Sequence, residues 1–420
     1  MNVCVIGSGG REHSLCFKLK QSTKLKNLYC IPGNAGTEEI AQNINIDISD
    51  FEKTYSEIVK RNIDLVIVGP EIPLVLGITN FLEDRGIKVF GPSKKASQLE
   101  GSKIFMKNLC KKFNIPSAQY HEVKNIDDAK EALKNFDEPI VVKSDGLAAG
   151  KGVTICETKE MALKDIQSIL DGKFSSSHKV IIEEFLDGEE ASYFVITDGR
   201  NFKQIGTAQD HKRIGENDTG LNTGGMGAYS PSLLINEEIE KKIIEKIIIP
   251  TLKGMKELGY EYKGILYAGL MIKNNEPKLI EYNIRFGDPE CQVLMMRLKS
   301  DLLELIINTL DNNLNSQNLN WSKEPCITVV AASKGYPEKF ETNKEIKNLP
   351  KDTSNQKEQM FHAGTLKQNG KVLSNGGRVL NSTVLAPSLK IAREKAIKLL
   401  DNIEWEDKYF RKDIGWRVIK

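Results

Sequence analysis

The amino-acid sequence predicts an α/β protein of roughly two to four domains, opening with a doubly wound parallel sheet. Three observations carry this expectation. Residues 1–100 alternate short apolar runs with helix-like stretches, the βαβ rhythm that puts helices on both faces of a parallel sheet. A helix-like stretch that follows the rhythm stops at Asn114-Ile115-Pro116, where the residue before proline is driven out of the helical region. The length, 420 residues, exceeds what one hydrophobic core supports.

Taken in order, strands are expected at 3–6, 28–31, 65–68 and 88–90, with helices over 11–20, 51–60 and 74–85. A helix over 102–113 follows a boundary near residue 100. A smaller α/β unit then spans 116–190, with strands at 140–143, 152–156 and 180–184. Strands at 193–197, 266–272 and 277–282 come next, with one long helix over 236–258. After an Asn-rich polar stretch at 311–323, a strand at 326–332 opens a last unit rich in turn residues, in which 344–358 reads as a surface loop.

Composition removes several function classes. Lys plus Arg number 59 against 57 Asp plus Glu, so the net charge of +2 supplies no field for a nucleic-acid backbone, and any bound anion must be held locally. No apolar window approaches the roughly eighteen residues that cross a bilayer, so no membrane partner is expected. The N-terminus enters a strand without the pattern of a signal peptide, and the seven cysteines are scattered without a Cys-x-x-Cys pair, so a cytoplasmic protein with reduced thiols is expected.

Five segments could carry chemistry. The first strand ends in Gly7-Ser8-Gly9-Gly10-Arg11-Glu12-His13, where glycine amides and a helix N-terminus suit an anion. Glu12 stands where a dinucleotide fold wants glycine, and Ile31-Pro32-Gly33 where it wants an acid, which disfavours a nicotinamide cofactor. A small phosphate-bearing substrate suits Gly9, Gly10 and Arg11 better, helped by the turns Pro32-Gly33-Asn34-Ala35-Gly36-Thr37 and Gly69-Pro70-Glu71; ordinary tight βα turns read equally well. Next, Lys143-Ser144-Asp145-Gly146-Leu147-Ala148-Ala149-Gly150-Lys151-Gly152-Val153 is a glycine- and lysine-rich hairpin whose amides can cover phosphates. It is not a Walker loop, since a strand follows instead of Ser or Thr and a helix.

The apolar strand running into Glu183-Glu184-Phe185-Leu186 could offer backbone groups to a purine edge, and Glu190 could take ribose hydroxyls, although a solvated acidic turn has the same pattern. In Leu279-Ile280-Glu281-Tyr282-Asn283-Ile284-Arg285-Phe286-Gly287-Asp288, strand alternation puts Glu281, Asn283 and Arg285 on one face, a set of oxygens and a cation that suits Mg²⁺ and phosphate. Finally, Gln209-Asp210-His211-Lys212-Arg213 and Asn222-Thr223-Gly224-Gly225-Met226 belong to a long turn-rich segment of the kind that serves a site, with a hydrogen-bonding role expected for His211.

With these elements in order, the sequence resembles the ATP-grasp superfamily and, within it, the phosphoribosylamine-glycine ligases. The resemblance covers the whole chain through the strings at 7–13, 32–37, 67–71, 99–103, 145–152, 183–192, 209–213, 222–231, 285–290, 361–365 and 411–417. It implies an N-terminal preATP-grasp domain at 1–101, an ATP-grasp domain at 102–325 with a lid inserted at about 116–190, and a C-terminal α+β domain at 326–420. It also implies the joining of glycine to 5-phosphoribosylamine, with ATP cleaved to ADP and phosphate through glycyl phosphate and no protein nucleophile.

By position, Lys103, Lys143 and Lys151 would meet ATP phosphates under a loop that includes Gly146, Gly150 and Gly152. Glu183, Glu184, Phe185 and Leu186 would hold adenine, and Glu190 ribose. Glu281 and Asn283 would ligate Mg²⁺ or Mn²⁺, and Arg285 would act on the glycine carboxylate or acyl phosphate. Gly9, Gly10, Arg11, Asn34, Gly36, Thr37, Pro70, Glu71, Asp210, Lys212 and Asp288 would face the substrates. Ser8 and Ile284 replace the Asn and Cys common in relatives, and 264–272 lacks the second metal carboxylate of many members, which leaves the metal count open. A ligase with a different acceptor is the alternative, and a monomer or weak dimer is expected.

Overall fold

The computed structural model describes residues 1–147, 152–173, 179–350 and 356–419. The first sheet contains β1 (Asn2–Gly7), β2 (Asn27–Pro32), β3 (Gln42–Asn43), β4 (Leu65–Val68) and β5 (Lys88–Phe90), all parallel, in the order β3-β2-β1-β4-β5. Val3 and Val5 face one core while Cys4 and Ile6 face another, which is why these strands read as unbroken apolar runs. The winding reverses at β1, so a crevice opens where β1 and β4 end, at Gly7 and Gly69. The expected helix over 74–85 is two helices, Glu71–Leu76 and Ile78–Glu83, divided at Gly77, whose φ of 102° turns the chain between them.

A second, antiparallel sheet contains β6 (Tyr120–Val123), β7 (Ile140–Ser144), β8 (Val153–Cys156) and β9 (Val180–Glu184) in the order β6-β9-β7-β8. It has its own core, in which Ile140, Val142, Val180 and Ile182 meet Ala129 and Leu133 of helix Ile126–Leu133 and Ile166 of helix Lys159–Leu170. Asn125 and Thr158 cap these helices by accepting amides of the first turn.

The largest sheet begins with β10 (Glu189–Thr197) and β11 (Phe202–Asp210); β12 (Arg213–Gly215) and β13 (Thr219–Asn222) then form a separate two-stranded sheet, and the large one continues with β14 (Gly227–Ser230), β15 (Gly264–Lys273), β16 (Glu276–Asn283) and β17 (Cys326–Ser333). After β18 (Glu345–Ile346) come β19 (Glu358–His362), β20 (Thr365–Gln368), β21 (Lys371–Ser374), β22 (Arg378–Leu385) and β23 (Lys408–Tyr409). The path β16-β15-β10-β11-β14-β17-β22-β19 runs unbroken across residue 326, because β14 pairs with β17, Gly227 opposite Val329. β18, β21 and β20 form a small separate sheet, so the loop expected at 344–358 contributes one short strand, and its residues 351–355 lie outside the described residues.

The long helix expected over 236–258 runs from Glu237 to Glu257 with one π-helical stretch inside it. Glu237–Ile243 widens into π geometry at Ile244–Ile248 before Ile249–Glu257, as Pro250 lacks the N–H that a regular turn would use. All seven cysteines are free and buried. Among the described residues no helix is long and apolar enough to cross a membrane.

Candidate active site

Across β16, β15, β10 and β11, Glu281 lies opposite Gly269, Gly269 opposite Ser192, and Ser192 opposite Ala208. Directly paired residues share a face. Gly269, Ser192 and Ala208 therefore place only small residues in the row next to Glu281. Burial pushes that carboxyl up, but Lys212, Lys143, Lys103 and Arg285 outweigh burial and hold it below its ordinary range. Asn283, buried two residues along, adds an amide oxygen on the same face.

An ionised carboxylate and an amide oxygen are hard donors that fit a divalent cation sharing its remaining positions with phosphate and water. No group of three His, Cys, Asp or Glu side chains gathers for a metal among the described residues. The position opposite Glu281 is Gly269, so β15 supplies no further carboxylate there.

One wall of the cleft is lysine-rich. Ser102 caps helix Lys103–Lys112, and the Asp145 carboxylate accepts from Ser102 Oγ at 3.1 Å and from Ile104 N at 3.2 Å, tying the base of the 146–152 hairpin to the helix start. Lys103 Nζ donates to Gly146 O at 2.9 Å. Lys143 Nζ meets Glu183 Oε2 at 2.9 Å, so the Glu183 side chain is turned into the protein. Glu184 Oε1 accepts from Gln119 N and Lys278 Nζ, Phe185 is exposed and Leu186 half-buried, and Gly152 O accepts from Ser144 N. Glu190 pairs with Lys212. The expected ligands Gly150 and Lys151 lie outside the described residues.

Arg285 closes the end of β16 against the N-terminal sheet. Its Nε donates to Glu71 Oε2 at 3.1 Å and its Nη2 to Glu100 Oε1 at 2.9 Å, while Ile284 N donates to Glu100 Oε2 at 2.9 Å. Despite its burial, Glu71 is held down at about 2 by Arg285 and Arg11. Burial, with Glu71 and Glu281 nearby, pushes Glu100 up to about 7. Pro70 precedes the helix that carries Glu71.

The glycine turn after β1 meets the same region from the other side, but its groups are turned inward. Gly9 N donates to Glu12 Oε2 at 2.6 Å, and Arg11 N to Asp288 Oδ2 at 3.3 Å. The Arg11 guanidinium, expected near a substrate phosphate, is buried on Glu12 Oε1 at 2.5 Å and Phe286 O at 3.1 Å. A Cβ at Gly9 would stand 2.8 Å from Glu12 Oε2 and 2.9 Å from Asp288 Oδ2, and at Gly10 2.5 Å from Gln292 Nε2 and Asn381 Nδ2, so a larger residue at either place would push these side-chain ends aside. Asn34 accepts from Gly36 N and Thr37 N and donates to Ser8 O and His362 O, so the 34–37 turn is bound to the first turn and to the end of β19. Asp288 also faces Arg378, which donates to the Asp288, Gly224 and Gly225 carbonyls.

The segment after β11 completes the cleft. Burial pushes the Asp210 carboxyl up to about 7, with Glu290 and Glu190 adding to the rise against Lys212. His211 has the expected hydrogen-bonding role, its Nε2 accepting from Gly415 N at 3.0 Å. Burial and Arg411 push His211 down to about 4. Glu12, Glu100 and Arg378 were not among the expected site residues, and neither was Lys107, although its spacing of four from Lys103 on one helix was a usable signal.

The comparisons with known proteins agree with this geometry. Family models described as the phosphoribosylglycinamide synthetase N domain, ATP-grasp (A) domain and C domain match residues 1–100, 101–291 and 326–417. The chain is 48% identical over 421 residues to a phosphoribosylamine-glycine ligase of Brucella melitensis, covering 100% of this chain and 99% of that one. It is 49% identical to the chloroplastic enzyme of that name from Arabidopsis thaliana, over 98% of this chain and 79% of the relative. A crystal structure of phosphoribosylamine-glycine ligase from Thermotoga maritima superimposes with a TM-score of 0.85 at 34% identity, covering 99% and 100% of the two chains. The biotin carboxylase domain of a Hydrogenobacter thermophilus 2-oxoglutarate carboxylase shares the fold alone, with a TM-score of 0.75 at 16% identity over 98% and 92% of the chains. This chain has the ATP-grasp fold and belongs to the phosphoribosylamine-glycine ligase family.

Proposed function

We propose that the chain joins glycine to 5-phosphoribosylamine, cleaving ATP to ADP and phosphate, by way of glycyl phosphate. The observation that carries this reading is the set of four cations, Lys103, Lys143, Lys212 and Arg285, whose charges act on the Glu281 carboxylate beside a row of small residues. Such an arrangement suits a polyphosphate and the charge that spreads over a phosphoryl group in transfer. The names of the relatives above support glycine and phosphoribosylamine as the other substrates.

A carboxylate oxygen of glycine would attack the γ-phosphorus, and the bond to the ADP oxygen breaks. The ribosyl amine then attacks the acyl carbon, phosphate leaves, and the amine loses a proton. Asp210, poised near neutral pH, is the carboxylate assigned to take it. Arg285 has three donors engaged with Glu71, Glu100 and Phe286 O, which leaves one N–H on each terminal nitrogen for paired substrate oxygens. Glu281 and Asn283 would hold Mg²⁺ or Mn²⁺, which offsets charge on the phosphates when bound. The ribosyl phosphate is assigned to the side of the cleft formed by the 9–11, 34–37 and 70–71 turns, although Glu12 and Asp288 flank Gly9. Adenine is assigned to the 183–186 strand end and ribose to Glu190. Seven free thiols support a reducing compartment such as the cytoplasm.

Glycine-dependent ADP release with freshly generated phosphoribosylamine tests the activity, and a panel of other amine acceptors tests the alternative of a different acceptor. Glycine labelled with ¹⁸O in its carboxylate should deliver one label to the released phosphate. Label found only in the amide would rule out the acyl phosphate.

A further inference from the structure

Helix Lys103–Lys112 puts Lys103 and Lys107 on one face, four residues apart. Lys103 reaches Gly146 O, whereas Lys107, fully buried, reaches Ala118 O at 3.0 Å and Glu183 Oε2 at 3.1 Å. The same oxygen accepts from Lys143 Nζ at 2.9 Å. Glu183 Oε1 is buried and finds no hydrogen-bond partner among the described residues, so the pairing of this carboxylate runs through Oε2.

One buried carboxylate therefore sits between two buried ammonium groups, and the cluster carries a net formal charge of +1. Without Lys107 it would be a neutral ion pair. Lys143 would then be neutralised by Glu183 and would attract an anion weakly. Lys107 also ties Glu183 to the Ala118 carbonyl, which takes its second bond. We infer that Lys107 is a positioning residue that shares the Glu183 carboxylate, so that the charge of Lys143 is not fully offset and stays aimed at the nucleotide phosphates. The inference rests on the proposal above that Lys143 binds ATP.

Titration calorimetry with ADP·Mg, together with steady-state rates, tests it on the full chain. Lys107→Met should weaken ADP·Mg binding roughly tenfold or more while leaving the KM for glycine within about twofold. Adding Glu183→Gln to that variant restores the +1 charge through Lys143 alone, and affinity should recover to within about threefold of the wild type. A helix anchor with no electrostatic role would give no such recovery. If Lys107→Met does not fold, Lys107→Gln, which can still donate to Ala118 O but is uncharged, carries the same expectation. Lys143→Met serves as the control: unchanged nucleotide affinity there would overturn the assignment of Lys143 to ATP. Weakening by Lys143→Met with none from Lys107→Met, or a double variant no better than the single one, would overturn the role of Lys107.

Discussion

Gly269 lies directly across the β15–β16 ladder from Glu281, and a Cβ placed on it would stand 3.4 Å from Glu281 Cγ. That spacing accepts one methyl group and little more. Gly269→Ala should keep the carboxylate in place, whereas Gly269→Leu should displace it, lowering kcat by about tenfold or more and raising the Mg²⁺ concentration needed for half-maximal rate. Rates measured over a Mg²⁺ titration check this. A Leu variant with wild-type behaviour would mean that the small-residue floor does not face the substrates.

Glu281→Gln keeps the shape and removes the charge that the surrounding cations favour. It should lower kcat on the order of a hundredfold or more with the far-ultraviolet circular dichroism unchanged. Retention of more than about a tenth of the activity would show that the carboxylate is not needed at the reacting phosphate.

Arg285→Lys preserves charge but not the planar fork that spans Glu71 and Glu100. A lysine cannot hold both acids and still present two parallel donors, so kcat/KM for glycine should fall about tenfold or more. The KM for ATP should change far less. Equal losses for both substrates would point to a loosened junction between the N-terminal sheet and β16 instead.

Of the three buried histidines, the neighbouring pair His13 and His362 illustrates how stability depends on pH. His13 Nδ1 accepts the His362 backbone N–H at 2.8 Å, so that nitrogen carries no proton in the folded state. Burial, with His362 nearby, holds His13 well below 6.5, and burial brings His362 down to about 4. Both bind protons more weakly folded than unfolded; their contribution is therefore complete above about 6.5 and is lost as the pH falls through that value towards about 4. At about 1.4 kcal/mol per unit, His362 alone accounts for a loss of roughly 3 kcal/mol over that range. Urea unfolding at several pH values should show the decline, and His362→Asn should flatten it. A variant as acid-sensitive as the wild type would assign the decline to other groups.

Local signals in the sequence sufficed where one element decides the outcome. The apolar runs of β1 and β4 declare a sheet buried on both faces, and the placing of Glu281 and Asn283 on one face needed only strand alternation. What stayed hidden depends on partners far away in the chain. The Glu183 side chain goes to Lys107 and Lys143, contacts that no local period reveals. Arg11 looked free for phosphate, yet the carbonyl that holds it belongs to Phe286, 275 residues away. The break in the helix over 74–85 had a local cause that the apolar pattern outvoted, the left-handed Gly77.

The pairing of β14 with β17 makes the last hundred residues an organ of the catalytic half rather than an appendage to it. A chain cut after residue 325 would bare the hydrogen-bonding edge of β14 and the apolar surface that packs beneath it, and such an edge recruits other chains. Shortened forms should therefore gather into aggregates.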